Sequence, residues 1–255
     1  MSTEKFLSKF SKDKLQNIYN DQTAAIYLLD KPRGWHSFKL VSQMRSILGI
    51  KKIGFAGILD PLASGLMVLA TGRATKLLDA FHELPKEYIA DIIFGQTSAS
   101  FDLETTIKQS AGAKEFSQAN LEKKLLVFLG KQEQTVPVFS AKKVGGRKLN
   151  KLARQGREIA DLPKNKIEIY QLEIEKFFYP KLRLRVVCSA GTYIRSLVSS
   201  LGTALGTGAV LADLRRTKIG PLSVDRAMVA DKLAAGDLSE YRQTPQEIIN
   251  VLAAE

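Results

Sequence analysis

The sequence has almost no cysteine or histidine, and this scarcity limits the chemistry available to the protein. A single cysteine, Cys188, occurs in 255 residues, which excludes an intramolecular disulfide and a cysteine-based zinc cluster. The two histidines, His36 and His82, lie far apart in the sequence and match no metal-ligand spacing. We therefore expect both histidines to be structural and the protein to carry no metal.

Long hydrophobic runs are also missing. The longest apolar run, around residues 65 to 70, is far shorter than the roughly 20 residues that cross a bilayer. The first ten residues are polar and Lys-containing and lack the hydrophobic region of a signal peptide. These features predict a cytoplasmic protein with no membrane contact.

Positive charge, in contrast, is abundant. The chain has 38 Lys and Arg against 26 Asp and Glu, a formal net charge of +12, and 45% hydrophobic residues, which suffice for a sizeable core. A positive excess attracts polyanions over long distances, so nucleic acid is the leading candidate partner. A basic protein without a polyanionic ligand remains the alternative on charge alone.

The pattern of apolar residues predicts strands and helices that intermix without strict βαβ alternation. This order favours an α+β fold with a mixed or antiparallel sheet flanked by helices. We expect helices capped by Ser37, Ser117 and Thr192, the second of these ending at Gly130. The other expected helices cover residues 74–84 and 247–254, with a short peripheral helix or arm within residues 1–24. The expected strands cover 26–30, 66–69, 88–94 and 209–214, with two more between 166 and 189 and one basic face on the second of these.

Asp60 is the acidic residue whose surroundings are hardest to explain by structure alone. Asp before Pro is typical of a turn, and this dipeptide needs no further function. However, Gly54, Gly57 and Gly65 surround it and allow the backbone to approach a ligand closely. An acidic side chain among basic segments repels phosphate unless it is paired with a cation or takes part in the chemistry. These surroundings favour an Asp60 carboxylate that is paired or takes part in chemistry over one that only starts a turn.

Arg195 falls in the first turn of the helix that Thr192 is expected to cap. The helix macrodipole disfavours a cation at this position, which indicates a negatively charged group nearby. A carboxylate partner would remove the unfavourable interaction and be held in place by the guanidinium. An arginine that extends to solvent is the competing interpretation.

Residues 142–157 contain seven cations and no acid. Gly145 and Gly146 make the segment flexible, and apolar residues at 149, 152 and 153 give a short helix an anchoring face. This pattern suits a mobile clamp for phosphates, although a solvated charge run is the usual explanation. The seven cations are Lys142, Lys143, Arg147, Lys148, Lys151, Arg154 and Arg157.

Six short motifs follow one another between residues 26 and 230, and together they resemble the TruB family of pseudouridine synthases. Any one of them would be weak, but six in the family's order are highly specific. They are Leu-Leu-Asp-Lys-Pro-Arg-Gly at 28–34, Gly-Ile-Leu-Asp-Pro-Leu-Ala-Ser-Gly at 57–65, Lys-Glu-Tyr at 86–88, Pro-Val-Phe-Ser-Ala-Lys-Lys at 137–143, Gly-Thr-Tyr-Ile-Arg-Ser-Leu at 191–197 and Leu-Arg-Arg-Thr-Lys-Ile-Gly at 214–220.

The resemblance implies the pseudouridine synthase catalytic fold and isomerisation of the tRNA T-loop uridine, at tRNA position 55, without a cofactor. Asp60 matches the family's essential aspartate, which acts either as a nucleophile or as the base that takes a ribose proton. Tyr88 matches the tyrosine that stacks on the target uracil, and Arg195 matches the partner of the aspartate. Leu214 matches a backbone contact to the base, and Tyr193 is grouped with the substrate-binding residues.

The chain departs from the family at Phe55 and Ala56, which replace His-Thr in the usual Gly-His-Thr-Gly sequence. Chemistry on a folded T-loop requires extrusion of the target nucleotide. An aromatic ring can still stack on bases. We therefore expect Phe55 to fill the space that the extruded base leaves, without the polar contacts of the usual residues.

The distribution of motifs predicts a single catalytic domain over residues 25–255, without the C-terminal PUA-like RNA-binding domain of many relatives. We expect a monomer that recognises the T-arm, so that a T-arm hairpin is modified nearly as well as whole tRNA. A guide-RNA-dependent synthase and a non-catalytic RNA-binding or RNA-folding protein are the alternatives. Besides the cations of residues 142–154, the residues expected to contact RNA are Lys31, Arg215 and Arg216.

Overall fold

The computed structural model describes Phe6 and residues 8–155, 161–235 and 238–253. The chain forms two compact units. The first combines Met1–Tyr88 with Arg215–Glu255, and the second consists of Ile89–Leu214.

The described part of the chain contains seven α-helices and fourteen strands, joined by loops and 3-10 turns. The helices are α1 (Lys12–Tyr19), α2 (Ser37–Leu48), α3 (Leu78–Glu83), α4 (Gln118–Leu126), α5 (Leu149–Arg154), α6 (Ile194–Ala204) and α7 (Pro245–Ala253). The strands are β1 (Ala25–Lys31), β2 (Ile53–Ala56), β3 (Ala63–Thr71), β4 (Lys86–Phe94), β5 (Gln96–Thr97), β6 (Lys108–Gln109), β7 (Gly130–Thr135), β8 (Lys143–Val144), β9 (Arg147–Lys148), β10 (Lys164–Phe178), β11 (Lys181–Cys188), β12 (Ala209–Ile219), β13 (Leu222–Ser223) and β14 (Met228–Val229).

The sheet of the first unit is mixed. Its strands run in the order β14, β1, β3, β12 and β4, with β2 also paired to β3 and β13 to β12. Strand β1 is parallel to β14 and antiparallel to β3, with Lys31 opposite Gly65. Strand β2 is antiparallel to β3, with Phe55 opposite Leu69. Because β1 and β3 are apolar over almost their whole length, both faces of this part of the sheet are buried.

An apolar core lies on one face of this sheet in the first unit. It joins alternate residues of β1 and β3 to side chains from α3 and α7. Phe6 and Ile18, from the segment expected to be peripheral, are also buried in this core. Helix α1 is capped by Ser11, whose side chain accepts a hydrogen bond from the Lys14 N–H. The predicted N-terminal helix is therefore present between residues 12 and 19; residues 1–5 and 7 lie outside the described residues.

In the second unit the strands run in the order β12, β4, β11, β10 and β7, and β10 is antiparallel to both β11 and β7. Strand β11 alternates as predicted, with four apolar side chains buried on one face. Two of the three cations of the other face are paired, Arg183 with Asp91 at 2.7 Å and Arg185 with Glu173. The predicted basic face is therefore largely neutralised.

The mixed sheet with flanking helices confirms the α+β fold class, whereas several predicted helix boundaries were wrong. The segment expected to be one helix over residues 74–84 is a 3-10 turn at 72–77 followed by α3. Ser117 caps α4 as predicted, but the helix ends at Leu126 instead of Gly130. Ser37 and Thr192 are not caps, because α2 and α6 have His36 and Tyr193 at their N-cap positions.

Candidate active site

Asp60 lies in the loop that joins β2 to β3, and its side chain is half-buried. The carbonyl oxygen of Asp60 accepts a hydrogen bond from the Ala63 N–H at 3.0 Å. The next carbonyl, that of Pro61, accepts one from the Gly34 N–H at 2.7 Å. The backbone on the C-terminal side of the aspartate is therefore held by the turn that follows β1.

Ser37 holds the other side of the loop. Its hydroxyl accepts a hydrogen bond from the Leu59 N–H at 3.0 Å and donates one to the Leu59 carbonyl at 2.9 Å. Both residues are buried. The Ser37 hydroxyl was expected to cap a helix, but it fixes Leu59, the residue directly before Asp60. The buried N–H and carbonyl of Leu59 need hydrogen-bond partners, and this hydroxyl provides both.

Arg216 supports the start of the same loop from β12. Its guanidinium donates to the Gly57 carbonyl at 3.0 Å and to the Leu66 carbonyl at 2.8 Å. Gly57 has φ +74°, and a Cβ there would lie 2.9 Å from the guanidinium. The Gly57 N–H also donates to Nε2 of His82 at 3.4 Å. Only glycine permits both this backbone conformation and this close approach.

Lys31 is a buried cation beside the aspartate. Its ammonium donates to the carbonyl of Pro32 at 3.1 Å and to that of Trp35 at 2.7 Å. Burial lowers the pKa of Lys31 to about 8; the nearby Asp60 carboxylate opposes this shift and the Arg216 guanidinium adds to it. Asp60 therefore stands next to a lysine whose charge is sensitive to mildly alkaline pH.

The structure corrects two of the residues expected to contact RNA. Lys31 is 0% exposed and Arg216 is 1% exposed, so a phosphate at the protein surface cannot reach either cation. Both instead donate to backbone carbonyls. Their positive charges support the Asp60 loop from within the first unit.

Arg215 differs from Arg216 because its side chain is 40% exposed. Its guanidinium forms two hydrogen bonds with the Asp30 carboxylate, at 2.6 and 3.0 Å. This bidentate pair fixes the orientation of the side chain and offsets its charge. Contact between Arg215 and RNA stays a prediction.

Phe55 is half-buried on β2, two residues before Gly57. Its ring packs edge to face against Phe38, with centroids 5.3 Å apart and an interplanar angle of 87°. Phe38 is 66% exposed, whereas Ala56 is buried. Of the two residues that replace His-Thr, Phe55 is thus the one whose side chain is accessible.

Tyr88 is half-buried on β4 and is the last residue of the first unit before the chain enters the second. The preceding residue, Glu87, is held by β12: its carboxylate accepts a hydrogen bond from the Thr217 hydroxyl at 2.8 Å and lies 3.7 Å from the Lys218 ammonium. The stacking role of Tyr88 stays a prediction.

In the second unit, Arg195 is the second residue of α6 and is buried. Its guanidinium lies 3.5 Å from the Asp102 carboxylate and donates to the carbonyls of Ser100 and Phe139 at 3.0 and 2.9 Å. Asp102 is 1% exposed and provides the negative charge that a cation in the first turn of a helix requires.

Asp102 was missed by sequence analysis. It belongs to a tight loop in which Phe101 has φ +64°, an uncommon conformation for a bulky residue. The Leu211 N–H donates to the Phe101 carbonyl at 2.9 Å, and the Ser98 hydroxyl donates to the Asp102 carbonyl at 2.6 Å. The position of Arg195 indicated that an acid was needed, but nothing in the sequence singled out this one.

Tyr193 and Leu214 have different exposures. Tyr193 is half-buried, and its backbone N–H and carbonyl both bond to the side-chain amide of Gln134, at 2.7 and 3.0 Å. This amide holds the backbone at the start of α6, and the Thr192 hydroxyl donates to the Ser189 carbonyl. Leu214 is buried.

The basic segment that begins at residue 142 forms a hairpin of β8 and β9 with Gly145 and Gly146 in the turn, both at positive φ. Helix α5 follows, anchored by the buried side chain of Leu149 as predicted. Arg154 pairs with Glu104 at 2.7 Å, and Arg157 lies outside the described residues. The exposed cations are Lys142, Lys143, Arg147, Lys148, Lys151 and Arg154.

Two family models match the sequence. Residues 45–194 match the N-terminal domain of the TruB family pseudouridylate synthases. The chain belongs to the TruB family. Residues 195–250 match a second model, the tRNA pseudouridylate synthase B C-terminal domain. Together the two matches run from α2 to α7.

Curated relatives support the same membership. The chain is 42% identical over 214 residues to the tRNA pseudouridine synthase B of Parabacteroides distasonis, covering 82% of this chain and 91% of the relative. It is 44% identical over 211 residues to the protein of that name from Protochlamydia amoebophila, covering 80% of this chain and 77% of the relative. The TruB-family chain is therefore a pseudouridine synthase.

Solved structures share the fold of this TruB-family chain. One is a chain of a Cbf5-Nop10-Gar1 complex, with a TM-score of 0.67 and 23% identity, covering 94% of this chain and 63% of that one. Another comes from an H/ACA RNP bound to a substrate RNA, with a TM-score of 0.64 and 21% identity, covering 96% and 63%. The chain thus spans just under two thirds of each of these longer proteins.

Predicted residues of the TruB-family chain lie together in the first unit, whereas in the second unit Arg195 has a partner that was not predicted. In the first unit Asp60 lies near Lys31 and Arg216; in the second, Arg195 pairs with Asp102. Among the residues that the structure describes, no group of three His, Cys, Asp or Glu side chains is placed to hold a metal ion. None of the described helices is long and apolar enough to span a membrane.

Proposed function

We propose that this TruB-family enzyme converts the T-loop uridine of tRNA to pseudouridine and that Asp60 is its catalytic carboxylate. The observation that carries the proposal is the Asp60 loop, whose backbone is hydrogen-bonded at Gly57, Leu59, Asp60 and Pro61. Catalysis requires a reacting group held in a fixed direction before the substrate arrives, and a half-buried carboxylate on a pinned loop meets that requirement.

The isomerisation is balanced without a cofactor. The bond from uracil N1 to ribose C1′ breaks, a bond from C5 to C1′ forms, C5 loses its proton and N1 gains one. Asp60 acts either as a nucleophile that attacks the ribose or the uracil, or as a base that removes a ribose proton. In both routes the carboxylate must be ionised, and the Lys31 ammonium and Arg216 guanidinium favour an anion at this position.

Further residues are proposed to act on the target nucleotide or on the catalytic carboxylate. Tyr88 stacks on the uracil, Leu214 offers a backbone group to the base edge, and Arg195 acts on the catalytic carboxylate. The role of Arg195 on Asp60 rests on the family motif; within its own unit the buried guanidinium contacts Asp102 and has a fixed orientation. Tyr193 is assigned to the same group through its motif.

Extrusion of the uridine leaves a gap in the T-loop, and Phe55 is proposed to fill it. The half-exposed ring of Phe55 beside Gly57 supports this role, since stacking tolerates any base. We expect Phe55→Ala to lower the rate of turnover on tRNA. Unchanged turnover in this variant would remove Phe55 from the proposal.

Recognition of the T-arm is proposed to use phosphate contacts from the exposed cations of the β8–β9 hairpin and α5. These side chains point to solvent at the surface of the second unit. Lysine and arginine side chains beside a flexible glycine turn suit contacts to the phosphates of RNA, which do not depend on the base sequence.

The proposed reaction is tested with tRNA transcripts that carry tritium at C5 of uridine. Because C5 loses its hydrogen only when the new bond forms, release of tritium into water reports the isomerisation. A matched transcript with cytidine at the target position is the control. We expect stoichiometric release from the first transcript that is absent from the second; equal release from both would contradict the proposed site.

A further inference from the structure

Phe38 is an exposed aromatic residue that the proposed reaction does not use. It lies at the second position of α2 and is 66% exposed. Its ring stands at 87° to that of Phe55, so the two rings form a corner. Burying aromatic surface is strongly favourable, and a corner of this kind therefore suits a flat apolar partner.

The corner is attached to the Asp60 loop by two short routes. Phe38 follows Ser37, whose hydroxyl holds both backbone groups of Leu59. Phe55 precedes Gly57, whose carbonyl is held by Arg216. Any group bound in the corner would therefore be positioned relative to the catalytic loop.

The stretch of chain that carries Phe38 and Phe55 has charge of one sign. Residues 31–55 contain six Lys and Arg and no Asp or Glu. The Lys39 ammonium lies 3.8 Å from the centroid of the Trp35 ring, beside Phe38 in sequence. The exposed cations of this stretch are Arg33, Lys39, Arg45, Lys51 and Lys52. Exposed aromatic rings among cations are typical of surfaces that bind single-stranded nucleic acid.

We propose that Phe38 and Phe55 form a stacking site for one unpaired nucleobase of the RNA substrate, with the surrounding cations contacting its phosphates. This inference rests on the proposed function, since it takes the substrate to be RNA. Phe38 is then a substrate-binding residue that none of the sequence motifs identified. It also accounts for an aromatic residue at position 55, because Phe55 provides one wall of the site.

The test compares Phe38→Leu with Phe38→Tyr, each in an Asp60→Asn background so that binding is measured without turnover. Leucine keeps the apolar contact with Phe55 but removes the flat ring, whereas tyrosine keeps the ring. Phe178→Leu is the matched control, because Phe178 is 78% exposed on β10. Binding of a T-arm hairpin RNA is followed through the fluorescence of Trp35, the single tryptophan, and circular dichroism checks that each variant is folded.

We expect Phe38→Leu to weaken binding about tenfold, while Phe38→Tyr and Phe178→Leu stay within about twofold of the parent. The salt dependence of binding should not change, because stacking releases no counterions. Binding by Phe38→Leu equal to that of Phe178→Leu would overturn the proposal and leave the ring pair free for a protein partner. Tritium release by the unsubstituted enzyme is measured in parallel. If no tritium is released, the proposed function is refuted. If tritium is released but the Phe38→Leu variant binds RNA as tightly as its parent, only the stacking site is refuted.

Discussion

At the scale of single residues, the electrostatics of the first unit centre on Lys31. The ammonium is buried, and its pKa falls from 10.5 to about 8 mainly because burial disfavours the charge. Between these two pH values the unfolded chain keeps the proton and the folded protein releases it. The free energy of unfolding contributed by this group therefore rises with pH from about 8 to 10.5.

Replacement of this lysine tests the linkage. Lys31→Met cannot release a proton, so the wild type should gain roughly 2 kcal/mol of stability relative to the variant between pH 7 and pH 9.5. Urea denaturation of both proteins at the two pH values measures the difference. A difference in unfolding free energy that does not change with pH would show that the pKa of Lys31 is not lowered in the folded protein.

Single residues also differ in how well their roles could be predicted from the sequence. Asp60 was identified through the family motif at residues 57–65, whereas its glycine neighbours and basic surroundings only weakened the explanation as a turn residue. Lys31 and Arg216 were assigned to RNA because sequence gives charge but not burial. Their actual partners are backbone carbonyls, which carry no signature in the sequence.

At the scale of secondary-structure elements, α2 supports the Asp60 loop through one hydroxyl. Ser37→Ala would leave the N–H and carbonyl of Leu59 without this partner, in a buried position. We expect a loss of about 1–3 kcal/mol of unfolding free energy and a several-fold fall in kcat with little change in KM, because the aspartate is less firmly positioned.

Ser42 provides the matched control for this change, since it is exposed on the same helix. Ser42→Ala should alter the unfolding free energy by less than about 0.5 kcal/mol. Equal effects of the two substitutions on kcat, measured by single turnover, would show that Ser37 does not position the loop.

Strands β3 and β12 approach closely at Gly65. With φ +105°, a Cβ at this position would lie 2.7 Å from the Arg216 backbone nitrogen and closer still to its carbonyl oxygen. Gly65→Ala should therefore cost more than about 4 kcal/mol or prevent folding. Gly34→Ala isolates the effect of the clash, because Gly34 has φ +86° but open space around it, and should cost about 1–2 kcal/mol. Similar melting temperatures for the two variants would contradict this account.

Element types were more predictable than element ends. The alternation in β11 and the apolar face of α5 are local signals, and both elements formed where expected. The N-termini of α2 and α6 were misplaced because Ser37 and Thr192 bond to Leu59 and Ser189 instead of to their own helices. The Ser37–Leu59 contact spans 22 residues and depends on tertiary structure, which overrides local capping preference, whereas the Thr192–Ser189 bond is a local turn contact that competes with capping.

At the scale of the whole molecule, a net charge of +12 predicts RNA binding that weakens steeply with salt. Lys148→Gln combined with Lys151→Gln should reduce the slope of log affinity against log salt by about 2, roughly one for each lost phosphate contact. Arg183→Gln is the control, because the hydrogen bond to Asp91 raises the pKa of Arg183 and its charge is already paired. Equal slopes for all three proteins would exclude the hairpin and α5 from RNA binding.

The central claim is that Asp60 performs the chemistry and is not needed to bind RNA. The most direct measurement is single-turnover formation of pseudouridine on unmodified tRNA, with the modified position mapped, by wild type, Asp60→Asn and Asp30→Asn. We expect product at the T-loop uridine with wild type and Asp30→Asn, and no product with Asp60→Asn although its affinity for tRNA stays within about twofold of wild type. Product formation by Asp60→Asn at the wild-type rate would contradict it.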